Sequence, residues 1–290
     1  MSSSGSSART RFAPSPTGPL HLGHAFSALT AAARADALGG TFLLRIEDID
    51  RARSRPDYEA AIFDDLAWLG LRWPEPVMRQ SERMAAYQAA LAQLAPYCYP
   101  CRCSRADIRA ALTAPQEGAP PMGPDGLIYP GTCRGRSLSE AGPNDTIRLN
   151  MRAALAAIDG ADLRFDETGP LNPGTHVLAA DTLIHAVGDI VLARRDMGTS
   201  YHLSVVVDDA AQEITEVVRG ADLFDATAIH VVLQALLDLP RPRYHHHRLI
   251  RDAAGKRLAK RDDARAIARY RDEGYAVSAV RAMIGLTKCA

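Results

Sequence analysis

Two histidines three residues apart, His21 and His24, close the segment RFAPSPTGPLHLGH. We predict a short buried strand over residues 10–13, then a rigid proline-rich turn and the start of a helix. Ligands bind at the carboxyl edge of a parallel sheet, and the N–H groups at a helix start favour phosphate. We therefore expect both histidines to donate hydrogen bonds to phosphoryl oxygens, with Gly23 letting a nucleotide approach closely. Alone, HLGH is explained equally well by two surface histidines.

A second candidate for phosphate binding is the basic loop GKRLAKR at residues 255–261. Lysines on such a loop, here Lys256 and Lys260, can neutralise the charge that develops as pyrophosphate leaves ATP. The whole chain carries 34 basic and 34 acidic residues, but the last 50 residues hold 13 basic and only 5 acidic ones. This asymmetry is typical of an end that faces a polyanion, and equally of a solvated basic helix.

Cysteines form the third group that could do chemistry. Cys98, Cys101 and Cys103 fall within six residues, and Cys133 follows a Pro/Gly-rich segment at 115–130 that we predict to be a mobile loop. The amino-terminal residues lack a secretory signal, so we expect a cytoplasmic protein with reduced thiols. Clustered thiolates suit a structural Zn²⁺, and Cys98 is the chemically better fourth ligand. Reduced cysteines without a metal are the alternative.

The elements that must position these residues alternate between strands and helices, which favours a doubly wound parallel α/β sheet. An insertion interrupts this pattern. A hydrophobic fraction of 47% excludes global disorder, and the sequence has no apolar run long enough for a membrane span. Beyond residues 10–13 the predicted segments are a helix at 21–38, a strand at 41–46, a helix from 55, a strand-like stretch at 189–194, an apolar run at 203–207, a strand at 213–218, a helix at 227–237 and a strand at 244–250.

Together the motifs resemble the signatures of the class I aminoacyl-tRNA synthetases, HIGH (here HLGH) and KMSKS (here KRLAK). LLRIEDIDRARS, YHLSVVVDD and VVRGADL are further similar, in order and spacing, to the glutamyl-tRNA synthetase catalytic core. The resemblance implies a Rossmann-type catalytic domain with a parallel sheet, an inserted zinc-binding α+β subdomain and a short helical C-terminal tail. The implied segments are a disordered tail at 1–8, the first Rossmann half at 9–96, the inserted acceptor and zinc subdomain at 97–188, the second half at 189–250, and the KMSKS-like loop with a helical segment at 251–290.

The same resemblance implies roles for individual residues. Arginine pairs with carboxylates through two parallel hydrogen bonds, which suits the carboxylates of glutamate, and a glutamate side chain suits the substrate ammonium. Asp208 and Asp209 receive no role, and the adjacent residues 245–247 (HHH) alternate faces of a predicted strand, so we expect no shared metal there. The implied sets are Arg11, Ala13, Ser15, Glu47, Tyr201 and Arg219 for glutamate; His21, Gly23, His24, Lys256 and Lys260 for ATP; and His21, His24 and Lys260 for catalysis.

For the metal, the family motif CxC…YxxxC implies Cys101, Cys103, Tyr129 and Cys133 as ligands of one structural zinc per chain. Tyrosine is an unusual ligand on first principles, and the choice of Tyr129 over Cys98 follows the motif.

Only 30 residues follow Lys260, whereas discriminating members of the family continue into a helical domain that reads the anticodon. In this the chain resembles a shortened branch of the family, which activates glutamate with ATP and attaches it to the queuosine base of tRNA(Asp). We therefore expect a monomeric ligase without a membrane partner, whose substrates are L-glutamate, ATP with Mg²⁺ and the queuosine-bearing anticodon stem-loop of tRNA(Asp). Alternatives are a truncated glutamyl-tRNA synthetase that charges a tRNA 3′ end and a catalytically inactive RNA-binding relative.

Overall fold

The computed structural model describes residues 7–113, 121–251 and 265–286. The loop with Lys256 and Lys260 and the first six residues of the expected N-terminal tail lie outside this part of the chain. In chain order its strands are β1 (Arg9–Phe12), β2 (Thr41–Ile46), β3 (Met78–Arg79), β4 (Cys98–Cys101), β5 (Met122–Gly123), β6 (Gly126–Leu127), β7 (Thr146–Leu149), β8 (Arg164–Glu167), β9 (Gly174–Val177), β10 (Val191–Ala193), β11 (Glu216–Gly220) and β12 (Arg243–His247). Its α-helices are α1 (Leu22–Ala37), α2 (Pro56–Trp68), α3 (Met84–Leu94), α4 (Arg105–Thr113), α5 (Met151–Ala157), α6 (Ala180–Thr182), α7 (Tyr201–Ala211), α8 (Thr227–Leu236), α9 (Ile267–Asp272) and α10 (Val277–Met283).

Parallel pairing dominates the sheet that carries the first histidine motif. β1, β2 and β3 pair in parallel in that order, and β11 pairs in parallel with β12, which pairs in parallel with β8. β1 lies beside β11: the backbone N–H of Arg9 donates to Thr215 Oγ1 at 2.8 Å, and that of Thr215 donates to the Arg9 carbonyl at 3.0 Å. The predicted α/β fold with a parallel sheet is confirmed.

Helices α1 and α2 cover the β1–β3 strands because their apolar residues recur at helical spacing. Phe26 and Leu29 of α1 and Ile62 and Leu66 of α2 are buried in one core with Ile46 of β2. α2 begins with proline at its first position, where the missing N–H costs nothing. Both helices begin within a residue or two of the predicted positions.

A small antiparallel sheet of β4, β7 and β10 builds the inserted part. This sheet joins strands from two of the expected segments, because β4 and β7 lie in the expected insertion at 97–188 and β10 lies in the expected second Rossmann half at 189–250. Conversely, β8 and β9, from the expected insertion, extend the β11–β12 sheet. These pairings join strands far apart in sequence, which local patterns do not reveal.

The apolar run at 203–207 lies in the middle of helix α7, which is buried on several sides against α3, α8 and β10. Because the helix is covered all round, it lacks the polar face that would reveal its period. Within the predicted loop at 115–130, residues 121–130 contain the β5–β6 hairpin, whose turn ends at Gly126 with φ of +98°. Among the described residues, no helix combines the length and apolar character needed to cross a membrane.

Candidate active site and cysteine cluster

The turn after β1 places His21 and His24 at the amino end of α1, where each ring caps the helix. His21 Nδ1 accepts from the backbone N–H of Gly23 at 3.1 Å, and His24 Nδ1 accepts from that of His21 at 3.1 Å. A neutral imidazole carries a proton on only one of its two nitrogens. Because Nδ1 is the acceptor in both rings, the proton lies on Nε2. The two rings lie with their centroids 3.8 Å apart and their planes tilted by 35°, and their Nε2–H groups are donors of the kind that phosphoryl oxygens accept.

Gly23 lies close to the capping ring of His21. A Cβ at this position would lie 3.0 Å from His21 Cε1, a tight contact that the capping ring could relieve only by shifting a few tenths of an ångström. Gly23 also lines the candidate cavity, and the predicted close approach of a nucleotide to it stays a prediction.

A cavity of about 360 Å³ opens where β1, β2, β11 and β12 end. Ser15 is not among its lining residues, and its predicted contact with glutamate stays a prediction. Ser27, Asp222, His247 and Arg248 line the cavity without having been predicted. The predicted residues that the structure brings together there are Arg11, Ala13, His21, Gly23, His24, Glu47, Tyr201 and Arg219.

Arg11 is held by a buried carboxylate on α7. Its Nε and Nη2 donate to Asp209 at 2.9 and 3.2 Å, and a second buried guanidinium, Arg45, donates to the same carboxylate at 2.7 Å. Burial opposes ionisation of Asp209, yet the two arginines hold its pKa below the usual range. Arg11 and Arg45 thus share Asp209, and Arg45 also pairs with Glu47 at 3.2 Å. Their positive charge is largely compensated within the protein.

Glu47 and Tyr201 supply the polar atoms on the other side of the cavity. Burial raises the pKa of Glu47, an effect that Arg45 and Arg11 partly offset. Burial also raises the pKa of Tyr201, which keeps its hydroxyl protonated as a hydrogen-bond donor. The carboxylate and the hydroxyl match an ammonium and a neutral polar atom of a ligand.

Arg219 differs from the other two arginines because its partners are uncharged groups or imidazoles. Nη2 donates to Thr227 Oγ1 at 2.8 Å and to the Leu223 carbonyl at 3.1 Å, Nε donates to His246 Nε2 at 3.0 Å, and Nη1 lies 3.0 Å from His230 Nδ1. No carboxylate oxygen of the described residues lies within 4.0 Å of this guanidinium. Its charge is therefore well placed to pair with a carboxylate that enters the cavity.

The two imidazoles stay neutral because each is buried beside this cation. Burial and Arg219 lower the pKa of His246 to about 4 and place that of His230 well below its ordinary value. His230 accepts from Arg219 on Nδ1, and its Nε2 lies 3.2 Å from His202 Nδ1. His202 Nε2 in turn lies 3.4 Å from Asp125 on the β5–β6 turn. A chain of two imidazoles thus connects the arginine to the inserted part.

Glu167 fixes the tautomer of His246. Its Oε2 lies 2.5 Å from His246 Nδ1, and its Oε1 accepts from the backbone N–H groups of His246 and Gly169 at 2.9 and 2.6 Å. A carboxylate can only accept, so Nδ1 carries the ring proton and Nε2 keeps its lone pair for Arg219. Glu167 is therefore a positioning residue for the arginine.

We expect Glu167→Gln to raise the KM for a carboxylate substrate about 10-fold, with a smaller change in kcat, because the amide puts a donor where an acceptor is needed. Initial-rate kinetics of amino-acid-dependent ATP–pyrophosphate exchange measure both constants. KM does not depend on how much of the enzyme is folded, so simple instability leaves it unchanged. The matched control is the exposed neighbour Asp166→Asn, and an unaltered KM in Glu167→Gln would remove Glu167 from this role.

Sequence reasoning missed the groups that hold the predicted residues in place. A fully buried arginine in the strand TFLLRI, Arg45, was a detectable signal, because a buried cation requires carboxylate partners. Asp209 is that partner, and it had been left without a role. Within the HHH segment, the middle residue, His246, contacts Arg219, and His247 lines the cavity.

The predicted metal ligands also lie together. The Sγ atoms of Cys101, Cys103 and Cys133 are all within 4.8 Å of one another, and Cys103 and Cys133 are 3.5 Å apart. Thiolates about 2.3 Å from a tetrahedral zinc would be separated by roughly 3.8 Å. Tyr129 Oη is 3.3 Å from Cys101 Sγ and 3.5 Å from Cys103 Sγ. This donor set could hold a metal ion.

Cys98 lies away from the cluster. It is on β4 three residues before Cys101, so the two side chains point to opposite faces, and Cys98 packs against the α5–α8 core. Burial raises its pKa to about 12. Cys133 shows the opposite behaviour: burial opposes its ionisation, but hydrogen bonds led by that with Tyr129 lower its pKa to about 7. Tyr129 rather than Cys98 thus lies beside the three clustered thiols.

Comparison with known proteins places this geometry in context. Residues 7–123 and 176–289 match the family described as tRNA synthetases class I (E and Q), catalytic domain. A Glutamyl-Q tRNA(Asp) synthetase of Rhodobacter capsulatus is 58% identical over 282 residues, which are 96% of this chain and 99% of that protein. A protein of the same name from Ralstonia nicotianae is 43% identical over 90% of this chain and 79% of its own length.

Among solved structures, the fold is similar to that of a glutamate tRNA ligase from Elizabethkingia meningosepticum in complex with its amino acid. The TM-score is 0.74 at 28% identity, over 97% of this chain. The chain spans 61% of that structure's length. The α/β fold implied by the motifs is thereby confirmed.

Proposed function

The chain belongs to the class I tRNA synthetases (E and Q), and on that premise we propose that it activates L-glutamate with ATP and transfers the glutamyl group to the queuosine base of tRNA(Asp). The observation that carries the proposal is the cavity that holds the HLGH histidines beside Arg219, a cation without a carboxylate partner among the described residues. The two relatives named Glutamyl-Q tRNA(Asp) synthetase support the choice of acceptor.

In the first step the α-carboxylate of glutamate attacks the α-phosphorus of ATP and pyrophosphate leaves. Arg219 and Arg11 bind the two carboxylates, and Glu47 binds the ammonium. The Nε2–H donors of His21 and His24 stabilise the charge that develops on the phosphoryl oxygens. The polar contacts of Tyr201, Ser15 and the backbone at Ala13 complete this glutamate site.

The rest of the machinery is proposed from the sequence motif. Lys256 and Lys260 bind ATP, which would carry Mg²⁺ to screen the charge of its triphosphate, and Lys260 follows the departing pyrophosphate. No side-chain nucleophile is needed, because a hydroxyl of the queuosine ring attacks the activated glutamyl carbonyl and AMP leaves. Monomeric state and a cytoplasmic location stay predictions.

The proposal is tested with a queuosine-containing tRNA(Asp) whose 3′-terminal ribose lacks the hydroxyls that accept an amino acid. We expect full glutamylation of this RNA. A synthetase that charges the 3′ end would leave it unmodified, and an inactive relative would show no glutamate-dependent ATP–pyrophosphate exchange at all.

For the cysteine cluster we propose one structural Zn²⁺ per chain, bound by Cys101, Cys103, Tyr129 and Cys133. Metal analysis after chelator-free purification is expected to give close to one zinc per chain in the wild type and in Cys98→Ser, but a clear loss in Cys103→Ser. Chelation should unfold the inserted part, measured as increased proteolysis there. Zinc-free wild-type protein, or an equal loss in Cys98→Ser, would overturn this assignment.

A further inference from the structure

Arg219 contacts a chain of side chains that the proposed activation step does not use. Its Nη1 lies 3.0 Å from His230 Nδ1, and His230 Nε2 lies 3.2 Å from His202 Nδ1. Beyond the two rings, His202 Nε2 lies 3.4 Å from Oδ1 of Asp125, in the turn between β5 and β6. The chain therefore joins an arginine of the candidate cavity to a carboxylate of the inserted part.

The proton positions along this chain are determined by its two ends. A guanidinium only donates, so His230 accepts on Nδ1 and, as a neutral ring, carries its proton on Nε2. That proton is donated to His202 Nδ1, so the proton of the second ring lies on Nε2 and points to Asp125. A carboxylate only accepts, and Asp125 therefore requires the same arrangement that Arg219 requires.

The opposite arrangement would break the contact with Arg219. If the proton of His202 lay on Nδ1, it would face the proton on His230 Nε2. His230 would then have to carry its proton on Nδ1, where it would meet an N–H of the guanidinium donor to donor. A carboxylate at the position of Asp125 excludes this state from outside the cavity.

The chain is shielded from water and its far end is held in place. His230 and His202 are only 2% and 6% exposed, so their hydrogen bonds are little weakened by solvent. A Cβ on Gly123 of β5 would lie 2.6 Å from the Ala186 carbonyl oxygen, so the hairpin approaches that backbone closely. Burial opposes ionisation of Asp125, yet its contact with His202 keeps its pKa below the ordinary value.

We propose that Asp125 and His202 are positioning residues for Arg219, through which the inserted part takes part in binding the substrate carboxylate. Glu167 fixes one imidazole that accepts from this guanidinium, and Asp125 fixes the other. Both rings then present lone pairs, which holds the guanidinium in one orientation. This inference rests on the proposed function only in that the carboxylate belongs to glutamate.

The test measures KM for glutamate, KM for ATP and kcat in ATP–pyrophosphate exchange by the full chain. Asp125→Ala removes the acceptor, so we expect the KM for glutamate to rise about 3- to 10-fold, as one lost hydrogen bond would cause, with little change in kcat or in the KM for ATP. Asp125→Asn keeps an acceptor oxygen and should lie closer to the wild type. The matched control is Asp181→Ala, at an exposed aspartate of α6, which should retain all three constants.

A double-mutant cycle tests whether the two residues act through one chain. His202→Leu interrupts the chain in its middle and should raise the KM for glutamate at least as much as Asp125→Ala does. The double variant should add nothing further, because either change alone already breaks the chain. Additive effects, an unchanged KM for glutamate in both single variants, or an equal rise in the KM for ATP would each overturn the proposal.

Histidine-selective ¹⁵N NMR gives a readout that does not depend on activity. We expect the proton on Nε2 in both His202 and His230 of the wild type, and a changed tautomer in Asp125→Ala. A proton on Nδ1 of either ring in the wild type would overturn the proposal. A wild type without glutamate-dependent exchange contradicts the proposed function instead, and the tautomers then decide the role of Asp125 alone.

Discussion

Arg219→Leu is expected to lower kcat/KM for glutamate in ATP–pyrophosphate exchange by about 150- to 5,000-fold, since removing one partner of a buried charge pair costs about 3–5 kcal/mol. The substrate carboxylate would enter a cavity in which Arg11 and Arg45 are already paired with Asp209. Leucine fills similar space but offers no charge and no donor.

Arg219→Lys gives the more informative comparison. Lysine keeps the charge but cannot contact His246, His230 and Thr227 together as the planar guanidinium does. We expect an intermediate loss, mainly in KM. The exposed Arg243→Leu on the neighbouring strand serves as control and should retain wild-type kinetics. A wild-type KM for glutamate in Arg219→Leu would contradict the role of this residue.

Asp209→Asn is expected to have the largest effect on stability, about 3–5 kcal/mol of the free energy of unfolding at neutral pH. The substitution leaves Arg11 and Arg45 buried beside a neutral amide. Urea denaturation of the wild type and the variant measures the difference. The control is Asp162→Asn at an exposed aspartate, because surface substitutions usually change the free energy of unfolding by no more than about 0.5 kcal/mol.

The pH dependence of this difference follows from the pKa of Asp209. The two arginines lower that pKa in the folded state, so the carboxylate stabilises the protein above its unfolded pKa of about 3.9. This contribution is lost as the pH falls through the lower folded value. The wild-type advantage over Asp209→Asn should therefore be full at pH 7 and shrink below about pH 4. A difference independent of pH would contradict the ionised state of Asp209.

The sequence predicted the parts of the site that local patterns determine. The HLGH turn, β2 and the start of α2 follow from neighbouring residues, because capping, proline and helical spacing act over a few positions. The residues that line the candidate ligand cavity were predicted from sequence motifs of the same local kind. Arg11, Glu47 and Arg219 each lie at or next to the end of a strand and line one cavity.

The groups that hold these residues could not be predicted in the same way. Asp209 lies 198 positions from Arg11, and Glu167 lies 79 positions from His246. Asp209 lies on α7 and Glu167 on β8. Only the packing of α7 and the pairing of β8 with β12 bring these residues to their partners.

The central claim is that glutamate is transferred to queuosine, and glutamylation of native against unmodified tRNA(Asp) tests it most directly. Both RNAs are incubated with the full chain, ATP and labelled glutamate, and the label bound to the RNA is measured. We predict that label accumulates on the queuosine-containing tRNA(Asp) only, at close to one glutamate per queuosine. Equal labelling of the unmodified tRNA, or labelling that disappears when its 3′ end is blocked, would contradict the claim.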